Sequence, residues 1–269
     1  MSKNRIITLL TDFGLSDVYV GVMKGAIAQI NPQLKVIDIT HQIPSQNIAA
    51  GRFCLMTAFA YFPPETVHIA VVDPGVGSNR RGIAVKCANC LLVGPDNGLF
   101  SGVLSRESAI AAVELTNPQY WRIPEPSSTF HGRDIFAAAG AHLANGVALE
   151  ELGRAVRAAS LVQLQIPNCA VTGTGAVGCV QYVDRYGNLI TNIPNDCIIG
   201  NNWSVTITNS PDTICIPSGK TYSDSKPGDL IAIVGSDGWL EIAVNSGSAQ
   251  SVLQLQVGDK VEIIYIDCV

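Results

Sequence analysis

Charge is scarce in this 269-residue chain: Asp, Glu, Lys and Arg make up 14% of it, and nowhere do Lys and Arg form a run. The net charge is −5. A surface for nucleic acid or anionic lipid needs clustered basic residues, so both classes of partner are excluded as expectations. No apolar stretch approaches the ~18 residues of a spanning helix. The start, MSKNRIITLLTDFG, reaches Asp12 too soon for a secretory leader. Cytoplasmic localisation follows as an expectation, with the eight cysteines as reduced thiols. Low-complexity tracts and internal repeats are also missing. Hydrophobic residues are 47% of the chain, enough for a large packed core.

The first half alternates strand and helix. Apolar runs at 6–12, 35–40 and 66–73 read as strands. Between them, Val18, Val22, Ala26, Ile27 and Ile30 mark one helix, and Ile48, Leu55, Ala58 and Phe62 a second, each stopped by proline. GIAVKC, CLLVGPD and AIAAVEL read as further strands, and Asp134 opens another helix that ends at Asn145-Gly146. The pattern predicts an α/β N-terminal domain over residues 1–165, with a mostly parallel sheet. A linker follows at about 165–172. Beyond it, GCVQYVD, NLITNI, WSVTIT, LIAIVG, LEIAVN and KVEIIYI are short strands separated by turn signals. They predict a smaller all-β domain over 172–269, an antiparallel barrel or sandwich.

Ligands of open α/β sheets bind beyond the carboxyl ends of the strands. Asp12 ends the first strand there, Thr40-His41 the second and Asp73 the third. Each aspartate is either a helix cap or part of a site. VVDPGVGSNRR, 71–81, carries Asp73 into two glycines and then Arg80 and Arg81. It lacks the spacing of a phosphate loop. FHGRD, 130–134, places His131 just ahead of a helix, as a structural hydrogen-bonder or a functional group. Asp, Arg and His together can hold and polarise a water, the carboxylate accepting its proton and the guanidinium supporting the carboxylate. Cys87 and Cys90 form a lone CxxC across what reads as a hairpin turn; a zinc site there needs two more ligands. VDRYGNLITN and GSDGWLEIAVNSGSA are turns or site loops.

TDFGLSD, VVDPGVGSNRR, GPDNGLF, FHGRDIFAAAGAHLA, VDRYGNLITNI and EIAVNSGSA, in this order, resemble the S-adenosyl-L-methionine (SAM) hydrolase family, also called SAM hydroxide adenosyltransferase, which is related to the fluorinase and chlorinase enzymes. The resemblance spans nearly the whole chain. It implies hydrolysis of SAM to adenosine and L-methionine by attack of water on ribose C5′. It also implies a homotrimer with sites between the N-domain of one subunit and the C-domain of the next. Neither a cofactor nor a metal is implied.

Carried onto this sequence, the water-activating set is Asp73, Arg80 and His131, with Arg81 a bystander. Asp12 matches the ribose-hydroxyl ligand, and Asp17 and Asp184 the carboxylates for the methionine ammonium. Ser236 matches a binder of that methionine's polar end. Asn188 matches the reader of adenine, aided by backbone at Val244 and Ser246. Phe130 and Tyr186 match wall positions. Gln46 stands where the fluorinase has tryptophan, and Asp237 and Val244 where it has arginines. Asp73 and Gly132 replace a tyrosine and a serine near its halide, and an anionic Asp73 there repels a halide. Three other readings remain open. They are a metal-dependent hydrolase using Asp12, His41, Asp73 and His131, a SAM-dependent halogenase, and a non-catalytic SAM or adenosine sensor.

Overall fold

The computed structural model describes residues 5–200, 202–209 and 212–265. The chain divides into two compact units, Met1–Leu164 and Gln165–Val269.

The first unit contains β1 (Ile7–Thr11), α1 (Tyr19–Ile30), β2 (Val36–Thr40), α2 (Ile48–Ala58), β3 (Thr66–Val71), β4 (Gly82–Lys86), β5 (Cys90–Pro95), α3 (Ser101–Leu104), β6 (Ala111–Glu114), α4 (Ala137–Ala144) and β7 (Arg154–Ala155). The strands form one sheet in the order β2-β1-β3-β5-β4-β6-β7. β1 and β3 are buried along their whole length, and their polar residues Thr8 and His68 hydrogen-bond to each other at 2.7 Å. Gly140 lets α4 press onto β3: a Cβ there would lie 2.4 Å from Ile69.

The expected mostly parallel sheet is corrected to a mixed one. β2, β1, β3 and β5 are parallel, whereas β5-β4, β4-β6 and β6-β7 are antiparallel. The reason is the Ala88-Asn89 tip, which joins β4 directly to β5 and leaves no room for a crossover. The apolar face of α1 also differs from expectation. Val20, Met23, Ala26 and Ile27 are buried, while Val18 and Val22 lie outward, 72% and 37% exposed.

In the second unit lie β8 (Ala170–Thr172), β9 (Gly175–Val183), β10 (Leu189–Pro194), β11 (Trp203–Asn209), β12 (Asp212–Pro217), β13 (Leu230–Val234), β14 (Trp239–Val244), α5 (Ala249–Leu253) and β15 (Lys260–Tyr265). The sheet order is β12-β11-β15-β9-β10-β14-β13, with β8 against β9. All of these ladders are antiparallel. A single parallel bridge, Ser218 to Ala232, brings the end of β12 beside β13 and nearly closes a barrel. Val180, Leu189, Val205, Leu240, Ile242 and Ile263 fill it. The segment 170–172, read from sequence as the end of a linker, is strand β8.

Among the described residues, no helix is long and apolar enough to cross a membrane. The seven described cysteines form no disulfide with one another, and Cys268 lies outside the described residues.

Candidate active site

The loop 72–81 leaves β3, passes over the end of β5 and returns to the sheet at β4, whose Gly82 pairs with Pro95. Both ends of the loop therefore lie at one edge of the sheet. Successive turns fold it: Val76 N–H donates to Asp73 O at 3.2 Å, and Ser78 Oγ to Gly75 O at 2.7 Å. Gly77 takes φ +77°, where a Cβ would fall 2.3 Å from the Ser128 carbonyl oxygen, so both its backbone angle and its surroundings require glycine.

This fold returns Arg80 to Asp73. Arg80 Nε donates to both carboxylate oxygens at 3.0 Å, and Nη2 donates to Oδ2 at 2.5 Å. The same Nη2 lies 2.7 Å from His131 Nδ1. Asp73 and Arg80 side chains are 5% and 11% exposed, so the pair is shielded from water. The guanidinium also sits 5.3 Å from the Phe136 ring centroid. Arg81 points elsewhere, pairing with Asp96 and donating to the Ser160 carbonyl.

Arginine carries donors only, so Nδ1 of His131 accepts and the ring proton of the neutral imidazole sits on Nε2. Burial, and then the Arg80 guanidinium, lower the pKa of His131 against opposing pulls from Asp73 and Asp134. His131 is thus neutral at pH 7 and offers an N–H.

His131 stands at the start of a π-turn, Gly132–Phe136, that leads into α4. Such turns recur at functional sites. Asp134 pins this one from a fully buried position. It accepts from Arg122 Nε at 2.6 Å, from Arg133 Nε and Nη2 at 2.7 Å and from Ser127 N at 3.0 Å. Burial would raise its pKa, but these bonds prevail and hold it well below the usual carboxylate range.

Asp73 and His131 face a cavity of about 630 Å³, whose lining also includes Asp12, Phe13, Tyr19, Gln46, Phe130 and Arg133. Phe13, Tyr19 and Phe130 pack edge-on or tilted, with centroids 5.3–5.9 Å apart. Asp12 Oδ2 accepts from Gln46 N at 2.7 Å, and Gln46 holds φ +64°. Of the residues singled out in the first unit, Asp12, Gln46, Asp73, Phe130 and His131 line this cavity, and Arg80 joins two of them from behind. Asp17 does not line it; it is exposed in the loop before α1.

The candidates in the second unit form two groups. Asp184 organises the β9–β10 turn. It accepts from Tyr186 N at 2.8 Å, Asn188 N at 2.9 Å and Asn188 Nδ2 at 3.0 Å. Tyr186 is exposed and Asn188 buried. This turn packs on the segment after β14, where Gln250 N donates to Gly187 O at 2.9 Å. Val244 and Ser246 belong to that neighbourhood, Val244 buried and Ser246 exposed at φ +59°. Ser236 is exposed in the turn at the other end of β14.

Several residues escaped the sequence reading. Asn97 donates from Nδ2 to Val72 O at 2.8 Å, fixing the backbone next to Asp73. Phe13, Tyr19 and Arg133 line the cavity. Glu241, a charge inside the apolar run LEIAVN, is buried and accepts from Tyr222 Oη at 2.8 Å. Its burial raises its pKa, which Asp184 and Asp237 raise further against that hydrogen bond. The lone charge in an alternating strand was the available signal.

The metal-ligand set of the rival hydrolase does not assemble. His41 is buried, with Nδ1 2.8 Å from Thr11 Oγ1 and Nε2 3.1 Å from Asp38. Among the described residues, the one cluster of three or more metal-capable side chains is Cys87, Cys90 and Glu107.

The model of the SAM hydroxide adenosyltransferase N-terminal domain matches residues 7–153, and that of the C-terminal domain matches residues 178–262. The chain is 38% identical to an (R)-S-adenosyl-L-methionine hydrolase of Salinispora arenicola, covering 98% of this chain and 99% of that protein. It is 37% identical to another from Methanocaldococcus jannaschii, covering 97% and 96%. A crystal structure of an uncharacterized conserved protein from Thermotoga maritima superposes with a TM-score of 0.90 at 37% identity, covering 96% of this chain and 100% of that one. The chain belongs to the SAM hydroxide adenosyltransferase family.

Proposed function

We propose that this protein hydrolyses SAM to adenosine and L-methionine, with a water held by Asp73 and His131 attacking ribose C5′. The observation that carries the reading is the Asp73–Arg80–His131 chain of hydrogen bonds on the wall of a nucleoside-sized cavity. Asp73 accepts a proton from the water. His131 donates from Nε2 to fix the water's orientation, and Arg80 holds both groups in place. Departure of the sulfonium leaves a neutral thioether, so the leaving group needs no acid. Holding the nucleophile ~3–3.5 Å from carbon and in line with the C–S bond supplies several kcal/mol. The attack discharges a cation, and the apolar walls of Phe13, Tyr19 and Phe130 favour that loss of charge. The scheme uses no cofactor and no metal.

In this reading Asp12 binds the ribose hydroxyls, and Gln46 and Phe130 border the nucleoside. Asp17 serves the methionine ammonium. A homotrimer completes each site with Asp184, Tyr186, Asn188, Ser236, Val244 and Ser246 of a neighbouring subunit. The outward strip of Leu15, Val18, Tyr19 and Val22 beside the cavity supports such an assembly. We place the enzyme in the cytoplasm, a reading supported by the lack of disulfides among the described cysteines.

The test is incubation with SAM in the presence of EDTA, followed by chromatography. Equal amounts of adenosine and methionine are expected, with product lost in Asp73→Asn while SAM still binds. A halogenated adenosine from added chloride, or bound SAM without product, overturns the proposal.

A further inference from the structure

We propose that Cys87, Cys90 and Glu107 form a binding site for a thiophilic divalent cation of the zinc class, at the end of the sheet away from Asp73. Cys87 follows β4 and Cys90 opens β5, with the Ala88-Asn89 tip between them. Cys87 N donates to Cys90 O at 2.9 Å, so the two residues face each other across the hairpin. Both are buried, 2% and 3% exposed. Glu107 approaches from the loop after α3, and the three donor atoms lie within 4.8 Å of one another. Zinc bonds of about 2.3 Å to sulfur and 2.0–2.2 Å to oxygen ask for donors some 3.5–3.8 Å apart, so closure takes about 1 Å of side-chain rotation.

The carboxylate is already aimed. Asn89 Nδ2 donates to Glu107 Oε1 at 2.7 Å, and Asn89 N to Oε2 at 3.1 Å. The tip itself is tied down by Glu65 N, which donates to Asn89 O at 2.7 Å. Each carboxylate oxygen keeps lone-pair capacity for a metal, and hydrogen-bonded carboxylates are the usual state of metal ligands. Three protein donors leave a fourth tetrahedral position for water. A cavity of about 200 Å³ adjoins the two cysteines, with Arg5 and Lys86 also in its lining. When ionised, the donors carry three negative charges, a cost in a buried place that a divalent cation offsets. Binding expels the thiol protons, so affinity rises with pH.

The site is remote from the chemistry. Cys90 pairs with Thr66, the first residue of β3, whereas Asp73 lies beyond its last. At about 3.3 Å per residue the two are roughly 20 Å apart. The cation would brace the β4–β5 hairpin against the loop after α3 and take no part in hydrolysis.

The test uses the full chain, reduced with a phosphine and titrated anaerobically with cobalt(II). One equivalent is expected to give a near-ultraviolet thiolate-to-cobalt band that zinc abolishes. The band should vanish in Cys87→Ala and in Cys90→Ala, and persist in a Cys169→Ala/Cys197→Ala variant that removes the other neighbouring thiols. Glu107→Gln and Asn89→Ala should each weaken binding about tenfold or more. No band, a band that survives loss of Cys87 and Cys90, or wild-type affinity in Glu107→Gln overturns the proposal.

Discussion

Replacing Arg80 by lysine keeps the positive charge and removes the fork. Arg80 spends Nε on both oxygens of Asp73 and Nη2 on Asp73 and His131 together. A lysine ammonium is a single nitrogen and cannot occupy both positions. It holds either the carboxylate or the imidazole, so one link between them is lost. A hydrogen bond to a charged group is worth about 1.5–3 kcal/mol. Expressed fully at the transition state, that is roughly a 10- to 150-fold loss of rate. Misplacing a catalytic group by about 1 Å costs on the order of 100-fold by itself. Arg80→Lys should therefore lower kcat by about 100-fold while KM for SAM moves far less, because Arg80 does not line the cavity. The assay is initial-rate chromatography of adenosine at saturating SAM, with thermal melting to confirm a folded variant. A folded Arg80→Lys enzyme with the wild-type kcat would refute the role of the fork.

Three further outcomes are expected. Asn97→Ala frees the Val72 carbonyl beside Asp73 and should cost about 1–3 kcal/mol in denaturant titration, with a fall in kcat larger than any change in KM. Gly77→Ala meets both a left-handed φ and the Ser128 carbonyl, so it should lower Tm and displace the Asp73 loop, read as lost turnover. His68 is buried with Nδ1 2.7 Å from Thr8 Oγ1, and burial pushes its pKa down to about 4 from 6.5. The unfolded chain takes up this proton first as pH falls, so its contribution is full above pH 6.5 and is lost on descending to pH 4, by about 3 kcal/mol at most. Denaturation at pH 7 and pH 4.5 should show that slope in the wild type and a shallower one in His68→Gln.

The strand ends were legible because an apolar run that stops on an aspartate marks both the strand and the edge where ligands bind. Asp73, Arg80 and His131 could be named from motifs, but their contact depends on a loop that skips over β5, and order along the sheet is not written in local pattern. The mixed sheet was legible at one place, since the hairpin turn between Cys87 and Cys90 already requires β4 and β5 to be antiparallel; that β6 would pair with β4 was not. The face of α1 was misread because Val18 and Val22 have the spacing of a core stripe and yet point outward. Strand β12, DTICIP, was not read from the sequence. Glu107 was out of reach, since nothing in sequence places it over a hairpin tip 18 residues away.

The divergence of Arg80 and Arg81 makes this stretch sensitive to parity. Neighbouring residues of an extended chain project to opposite sides, so one guanidinium serves Asp73 while the next clasps Asp96 and Ser160. One amino acid added between Arg81 and Gly82 would exchange the two sides, sending the wrong cation to each carboxylate. Two added there would restore the sides but pull both arginines out of reach. The turns from Pro74 to Asn79 offer no slack to absorb such a change, because Gly77 is packed against the Ser128 carbonyl.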